Sequence, residues 1–195
     1  MSRAARNWLL LLVMIVGIVG IDQITKRTVL ADLVWGETKR LVPALSPYFQ
    51  ITLSQNRGSA FGFLPQASDL FLVFAVVITI GGLYFYPRIP AEARLQRLAA
   101  GLIIGGALGN ALDRIQHGYV VDFIHYQIPG FISNVSNLAD HAIVLGVGLI
   151  FIDSWRMERR EKAMQQNQEI QDDESVTPPP NPFPVDGEGE SPPAG

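Results

Sequence analysis

Residues 98–114 read LAAGLIIGGALGNALDR, an apolar run that closes on an amide and a guanidinium, Asn110 and Arg114. A membrane-spanning helix needs about 20 mainly apolar residues, and fewer suffice where interfacial residues finish its turns. Three more stretches meet the same condition: Trp8–Ile21, continuing through IDQITKRTVL, then Leu70–Tyr86, then Leu138–Ile152. The expected fold is therefore an all-α polytopic membrane protein with four transmembrane helices, over about residues 8–28, 70–86, 98–114 and 138–157. The first run follows Arg3 and Arg6 as a cleavable leader would, but no small-x-small cleavage site comes soon after it, so it is read as an uncleaved signal anchor.

Composition agrees. Of 195 residues 48% are hydrophobic, and the polar ones collect between the apolar runs and at the C-terminal end. The formal charge of −3 reflects seven acids after residue 168, from Glu169 to Glu190, unaccompanied by Lys or Arg; the rest of the chain sets 15 basic side chains against 11 acidic ones. Residues 163–195 hold seven of the thirteen prolines. Such a segment has too few apolar groups to offset ordering entropy, so it is expected as a disordered, acidic, Pro-rich cytoplasmic tail, with residues 1–162 as the four-span domain. With no cysteine, thiolate catalysis and Cys-based metal sites are excluded.

Arginines cluster at the N-terminus (Arg3, Arg6), in the middle loop (Arg88, Arg94, Arg97) and after the last span (Arg156, Arg159, Arg160). In a four-span chain these segments share one side, which the positive-inside rule makes cytoplasmic; both termini are expected there. Residues 31–68 and about 114–137 then face outward. Within the first, FQITLS (Phe49–Ser54) alternates apolar and polar residues, and NRG (Asn56–Gly58) signals a turn. A small β element on the outer membrane surface follows.

Ionisable groups in or near a bilayer are expensive and need a partner or a task. Asp22 and Lys26 stand four residues apart on one helical face, where an ion pair can form. Gly101, Gly105 and Gly109 have the spacing of close helix packing, whereas Gly106, Asn110 and Arg114 carry polar groups down a neighbouring face. Ser136 or Asn137 can cap the fourth helix and put Asp140 in its first turn. Asp122, in YVVDFIHY (Tyr119–Tyr126), lies just beyond the third span at a similar depth. Two carboxylates brought close share a proton, and then one can activate water while the other hydrogen-bonds a carbonyl, which is aspartic-peptidase chemistry. Asp122, His125, Asp140 and His141 could also be drawn as a metal site, but Asp140 and His141 are adjacent and point about 100° apart on a helix. No metal is expected, and His117, His125 and His141 are read as interfacial polar residues.

DQITK (Asp22–Lys26), QNRGSAFGFL with Asn56, Gly58, Ala60 and Phe61, GGALGNALDR (Gly105–Arg114), VVDF (Val120–Phe123) and NLAD (Asn137–Asp140) together resemble the bacterial lipoprotein signal peptidases, or signal peptidase II, over about residues 8–157. The resemblance implies a metal-free aspartic endopeptidase of the bacterial cytoplasmic (inner) membrane, without a cofactor. It would cut prolipoproteins N-terminal to a diacylglyceryl-modified cysteine. It makes Asp122 and Asp140 the catalytic pair, Asn56, Gly58, Gly106, Asn110, Arg114 and Asn137 substrate-binding or supporting residues, and Asp22 with Lys26 a supporting pair. Ser136 and Ser59 depart from the family, which commonly has Phe and Ala there. The implied partners are lipid-modified prolipoproteins and membrane lipid, with no nucleic acid. A small transporter or channel using intramembrane carboxylates is the competing class, which fits less well because the inner halves of the second and fourth spans offer almost no polar groups.

Overall fold

The computed structural model describes residues 1–46, 48–58, 67–128 and 130–176. Its helices are α1 (Arg3–Asp32), α2 (Ala67–Phe85), α3 (Arg94–His117) and α4 (Leu138–Val176). Each supplies a segment long and apolar enough to cross a membrane, and these segments contain all four expected spans. The central helix is α3: its Ala99, Ile104, Ala107 and Ala111 are buried, while α1, α2 and α4 turn Leu12, Val16, Val77, Ile80, Val144 and Phe151 outward. Large aliphatic side chains facing out around a core of small residues suit hydrocarbon as solvent, where Leu on the surface carries no penalty.

Small residues on α3 set the helix spacing. A Cβ at Gly101, Gly105 or Gly109 would press on Met14, Ile18 or Asp22 respectively, so a four-residue stripe on α3 receives a four-residue stripe on α1. Gly106 points elsewhere, and a Cβ there would collide with the carbonyl of Ala139 in α4.

The β element is larger than expected. Strands β1 (Thr38–Lys39), β2 (Phe49–Asn56), β3 (Val120–Ile128) and β4 (Ile132–Ser136) form one antiparallel sheet in the order β1-β2-β3-β4. FQITLS lies in β2 as anticipated, but the stretch around Asp122 is itself a strand. Its first five residues, Val120–Ile124, are all buried, so the period-2 alternation that marks a half-exposed strand is missing. The helix-to-strand change happens at Gly118, whose φ of +77° ends α3 with its N–H on the Arg114 carbonyl, 2.9 Å. Leu53 and Val121 then pack on Leu33, Val29 and Leu30, seating the sheet on the end of α1.

The chain divides into two units, Met1–Ser154 and Trp155–Gly195. In the second, helix continues to Val176, with the Arg159 guanidinium 4.1 Å from the Trp155 ring centre and Lys162 paired with Glu158 at 2.7 Å. The segment read as a disordered tail from residue 163 is thus helical over its first part. Residues 163–174 hold four Gln and two Glu beside one Ala and one Met, good helix formers, with no Gly or Pro before Pro178. Residues 177–195 lie outside the described residues, as do Ser59, Ala60 and Phe61.

Candidate active site

Asp122 is buried on β3, and both of its oxygens accept side-chain amides: Asn56 Nδ2 donates to Oδ2 at 2.9 Å and Asn137 Nδ2 to Oδ1 at 2.6 Å. Each amide is oriented by a backbone donor on its own oxygen. The N–H of Gly58 donates to Asn56 Oδ1 and that of Asp140 to Asn137 Oδ1, both at 2.9 Å. This leaves each NH2 aimed at the carboxylate. Gly58 can do so because its φ is +86°, a left-handed conformation that a side chain would disfavour. On β2, a register shift between Ile51 and Ser54 accompanies the pairing of Ser54 with Asp122 and of Asn56 with Val120, and the Asn56 side chain reaches back to the acid.

Asn137 also caps α4, which sets Asp140 in the helix's first turn. Asp140 Oδ1 accepts Asn110 Nδ2 at 2.6 Å, and Asn110 Oδ1 in turn accepts Lys26 Nζ at 3.1 Å. Burial, and after it the negative charge of Asp140, raise the Asp122 pKa to about 6, against the opposing amide bonds of Asn137 and Asn56. Asp122 is thus held by two oriented amides and Asp140 by one, whose oxygen is in turn engaged by Lys26.

Behind them lies a buried ionic cluster. Lys26 Nζ is 2.8 Å from Asp22 Oδ2 and 2.8 Å from Asp113 Oδ2, so the expected Asp22–Lys26 pair is half of a triad. Asp22 Oδ1 accepts the N–H of Ala139 at 3.0 Å, and Asp113 Oδ2 accepts that of Val121 at 3.0 Å. The triad thus ties α1 to the residues immediately before Asp140 and Asp122. Gln23 Nε2 completes it with a 2.7 Å bond to Asp113 Oδ1. Asp113 and Gln23 escaped the sequence reading; an acid three positions after Asn110 inside an apolar helix was the available signal for the first, but its partner lies 87 residues away on α1. Gly106 acts through packing, since its missing side chain admits the α4 backbone at Ala139.

Asp140, but not Asp122, lines a cleft of about 270 Å³, with Asn56, Gly58, Asn110 and Arg114 beside it on the polar side and Phe71, Phe74, Ile78 and Ile143 on the apolar side. Arg114 stacks over Phe71 at 5.3 Å, and its buried Nε–H has no hydrogen-bond acceptor among the described residues. A guanidinium with a spare donor beside a carboxylate is equipped to hold a peptide carbonyl. The ring nitrogens of His125 are engaged by Gln50, Thr52 and Ser133, and those of His141 by Asn137 and Tyr126, while His117 stacks on Tyr119. Ser136, the departure next to Asn137, is buried at the end of β4.

The family profile described as signal peptidase (SPase) II matches residues 14–156. A lipoprotein signal peptidase of Desulfitobacterium hafniense (strain DSM 10664 / DCB-2) is 41% identical over 148 residues, covering 75% of this chain and 94% of that protein. One from Anoxybacillus flavithermus (strain DSM 21510 / WK1) is 38% identical over 144 residues, covering 74% and 84%. Among solved structures, a bacterial membrane enzyme determined by the in meso method at 2.3 Å resolution superposes with a TM-score of 0.67 at 31% identity, over 75% of this chain and 87% of that one.

Proposed function

The chain belongs to the signal peptidase II family and is a multi-pass bacterial membrane aspartic endopeptidase that removes signal peptides from prolipoproteins, and on that premise we propose that Asp122 and Asp140 are its catalytic pair. The observation that carries this assignment is the convergence of Asn56, Asn110 and Asn137 on the two acids, with Asp140 and Arg114 lining one cleft. One carboxyl of the pair donates a proton to the scissile carbonyl while the other takes a proton from the attacking water. The new C–O bond forms at the carbonyl carbon, and the amine leaves with a proton returned by the pair. The Arg114 Nε–H positions a neighbouring backbone carbonyl of the substrate. Asp22, Lys26 and Gly106 support the site, and residues 1–162 form the working domain.

The site is read as facing the outer leaflet boundary, with both termini cytoplasmic and the sheet on the outer surface, from the bias of Arg3, Arg6, Arg88, Arg94 and Arg97 toward the opposite helix ends. There a diacylglyceryl cysteine keeps its chains in the membrane while its N-terminal peptide bond meets water, and the apolar wall of Phe71, Phe74 and Ile78 receives the signal-peptide side. The transport reading is not favoured by the family or by the membrane enzymes of like fold. The test is cleavage of a diacylglyceryl-modified prolipoprotein by the purified protein in detergent, with and without EDTA, beside Asp122→Asn and Asp140→Asn. Cleavage that survives the chelator and falls on the order of a thousandfold in each variant is expected; near wild-type turnover by either folded variant refutes the pair.

A further inference from the structure

At the helix ends remote from the acids there is a second pocket, of about 350 Å³, whose lining includes Arg3, Arg88 and Arg97 and no Asp or Glu. Arg97 and Arg114 are 17 residues apart on α3, about 26 Å along its axis, so this pocket lies near the opposite membrane face. Two of the guanidiniums are held in place. Arg97 donates Nε to the Pro90 carbonyl at 3.0 Å and Nη2 to the Ile89 carbonyl, and lies 4.9 Å from the Tyr86 ring centre. Arg88 donates to the Tyr84 carbonyl at 2.6 Å and stacks on the Tyr84 ring at 4.1 Å. These bonds leave donors on both groups. Beside them the buried Tyr86 donates its hydroxyl to the Asn7 carbonyl at 2.9 Å and packs on Trp8 with ring centres 5.2 Å apart.

Trp8 is shared with an adjoining groove of about 320 Å³, whose other walls are Leu9, Leu11, Leu12, Ile15 and Leu83. A cationic pocket that opens through an indole into a wholly aliphatic groove along the spans has the chemistry of one amphiphile: an anionic head and a hydrocarbon chain. An aromatic ring at that junction is the usual resident of a membrane interface. We propose that this pocket and groove bind an anionic phospholipid, the three arginines taking its phosphodiester and the groove one acyl chain. A cationic signal-peptide segment is repelled from the same pocket, and a free phosphate would leave the groove unused.

Native mass spectrometry of the full chain, delipidated in dodecyl maltoside, tests this without reference to catalysis. Titrated with dioleoyl phosphatidylglycerol, the protein should retain one lipid with about tenfold preference over dioleoyl phosphatidylcholine, whose choline brings a cation to the arginines. Arg3→Gln/Arg88→Gln should weaken phosphatidylglycerol retention about tenfold or more, and Leu12→Trp, which fills the groove, should do likewise while leaving the headgroup pocket intact. Arg3→Gln alone, at an exposed helix end, provides a variant that keeps the Arg88 contacts and should show an intermediate loss. Equal retention of both lipids, unchanged retention in the double variant at unchanged Tm, or inorganic phosphate binding as tightly as phosphatidylglycerol would each overturn the proposal.

Discussion

Replacing Asp122 by Asn removes a charge that the fold holds in a dry place, and the consequence depends on pH in a way that can be worked out. Burial and the charge of Asp140 carry the Asp122 pKa from 3.8 to about 6, and at about 1.4 kcal/mol per tenfold change in proton affinity this corresponds to about 3 kcal/mol. The native protein binds this proton more tightly than the unfolded chain. The stabilisation is therefore complete below pH about 4, is lost as pH rises through about 6, and is absent above it. The amide introduced by Asp122→Asn cannot titrate, so the variant lacks that loss. It also meets two NH2 groups, from Asn56 and Asn137, and can satisfy only one of them. That mismatch costs about 1–3 kcal/mol, but equally at every pH. The difference in Tm between variant and wild type should thus climb toward the variant's favour by roughly 6–12 °C between pH 3 and pH 8, with its midpoint near 5, halfway between the unfolded and folded pKa values. Thermal unfolding of both proteins in one detergent across that range gives the curve. A difference that stays flat with pH would refute the claim that the site strains Asp122, whatever happens to cleavage.

Other perturbations test the framework behind the acids. Lys26→Met leaves Asp22 and Asp113 buried without their cation, and should destabilise by about 3–5 kcal/mol; a loss below about 1 kcal/mol in thermal or denaturant unfolding would mean that the triad contributes little. Gly106→Ala drives a methyl into the Ala139 carbonyl, whereas Gly101→Ala meets the flexible end of Met14; the first should cost about 1–3 kcal/mol and lower kcat/KM, and the second should be milder on both counts. Truncation after residue 162 should leave kcat/KM for a diacylglyceryl-modified prolipoprotein within about twofold of the full chain, and a large drop would assign the C-terminal segment a part in the reaction.

Some of this protein is written locally along the chain. Spans are set by apolar length, so α1 to α4 could be read directly, and the stripe of Gly101, Gly105 and Gly109 announced close packing before its partners Met14, Ile18 and Asp22 were known. The proposed site residues came chiefly from the five motifs, with Asp122, Asp140 and Asn110 also marked as polar where polarity is costly. Where local pattern gave a wrong or incomplete answer, the reason was physical in each case. A strand buried on both faces, Val120–Ile124, has no alternation to betray it, and residues 163–176 continue α4 in keeping with their helix propensity.

Only the tertiary structure decided which partner each polar group takes. Lys26 could be matched to Asp22 from four-residue spacing, but its second carboxylate, Asp113, comes from another helix, and Asn137 serves Asp122 and the α4 backbone together. Hydrophobicity and helical period act between near neighbours in sequence and survive as pattern. Hydrogen bonds and ion pairs at 2.6–3.1 Å depend on where α1, α3, α4 and β3 come to rest against one another, and no single segment carries that information.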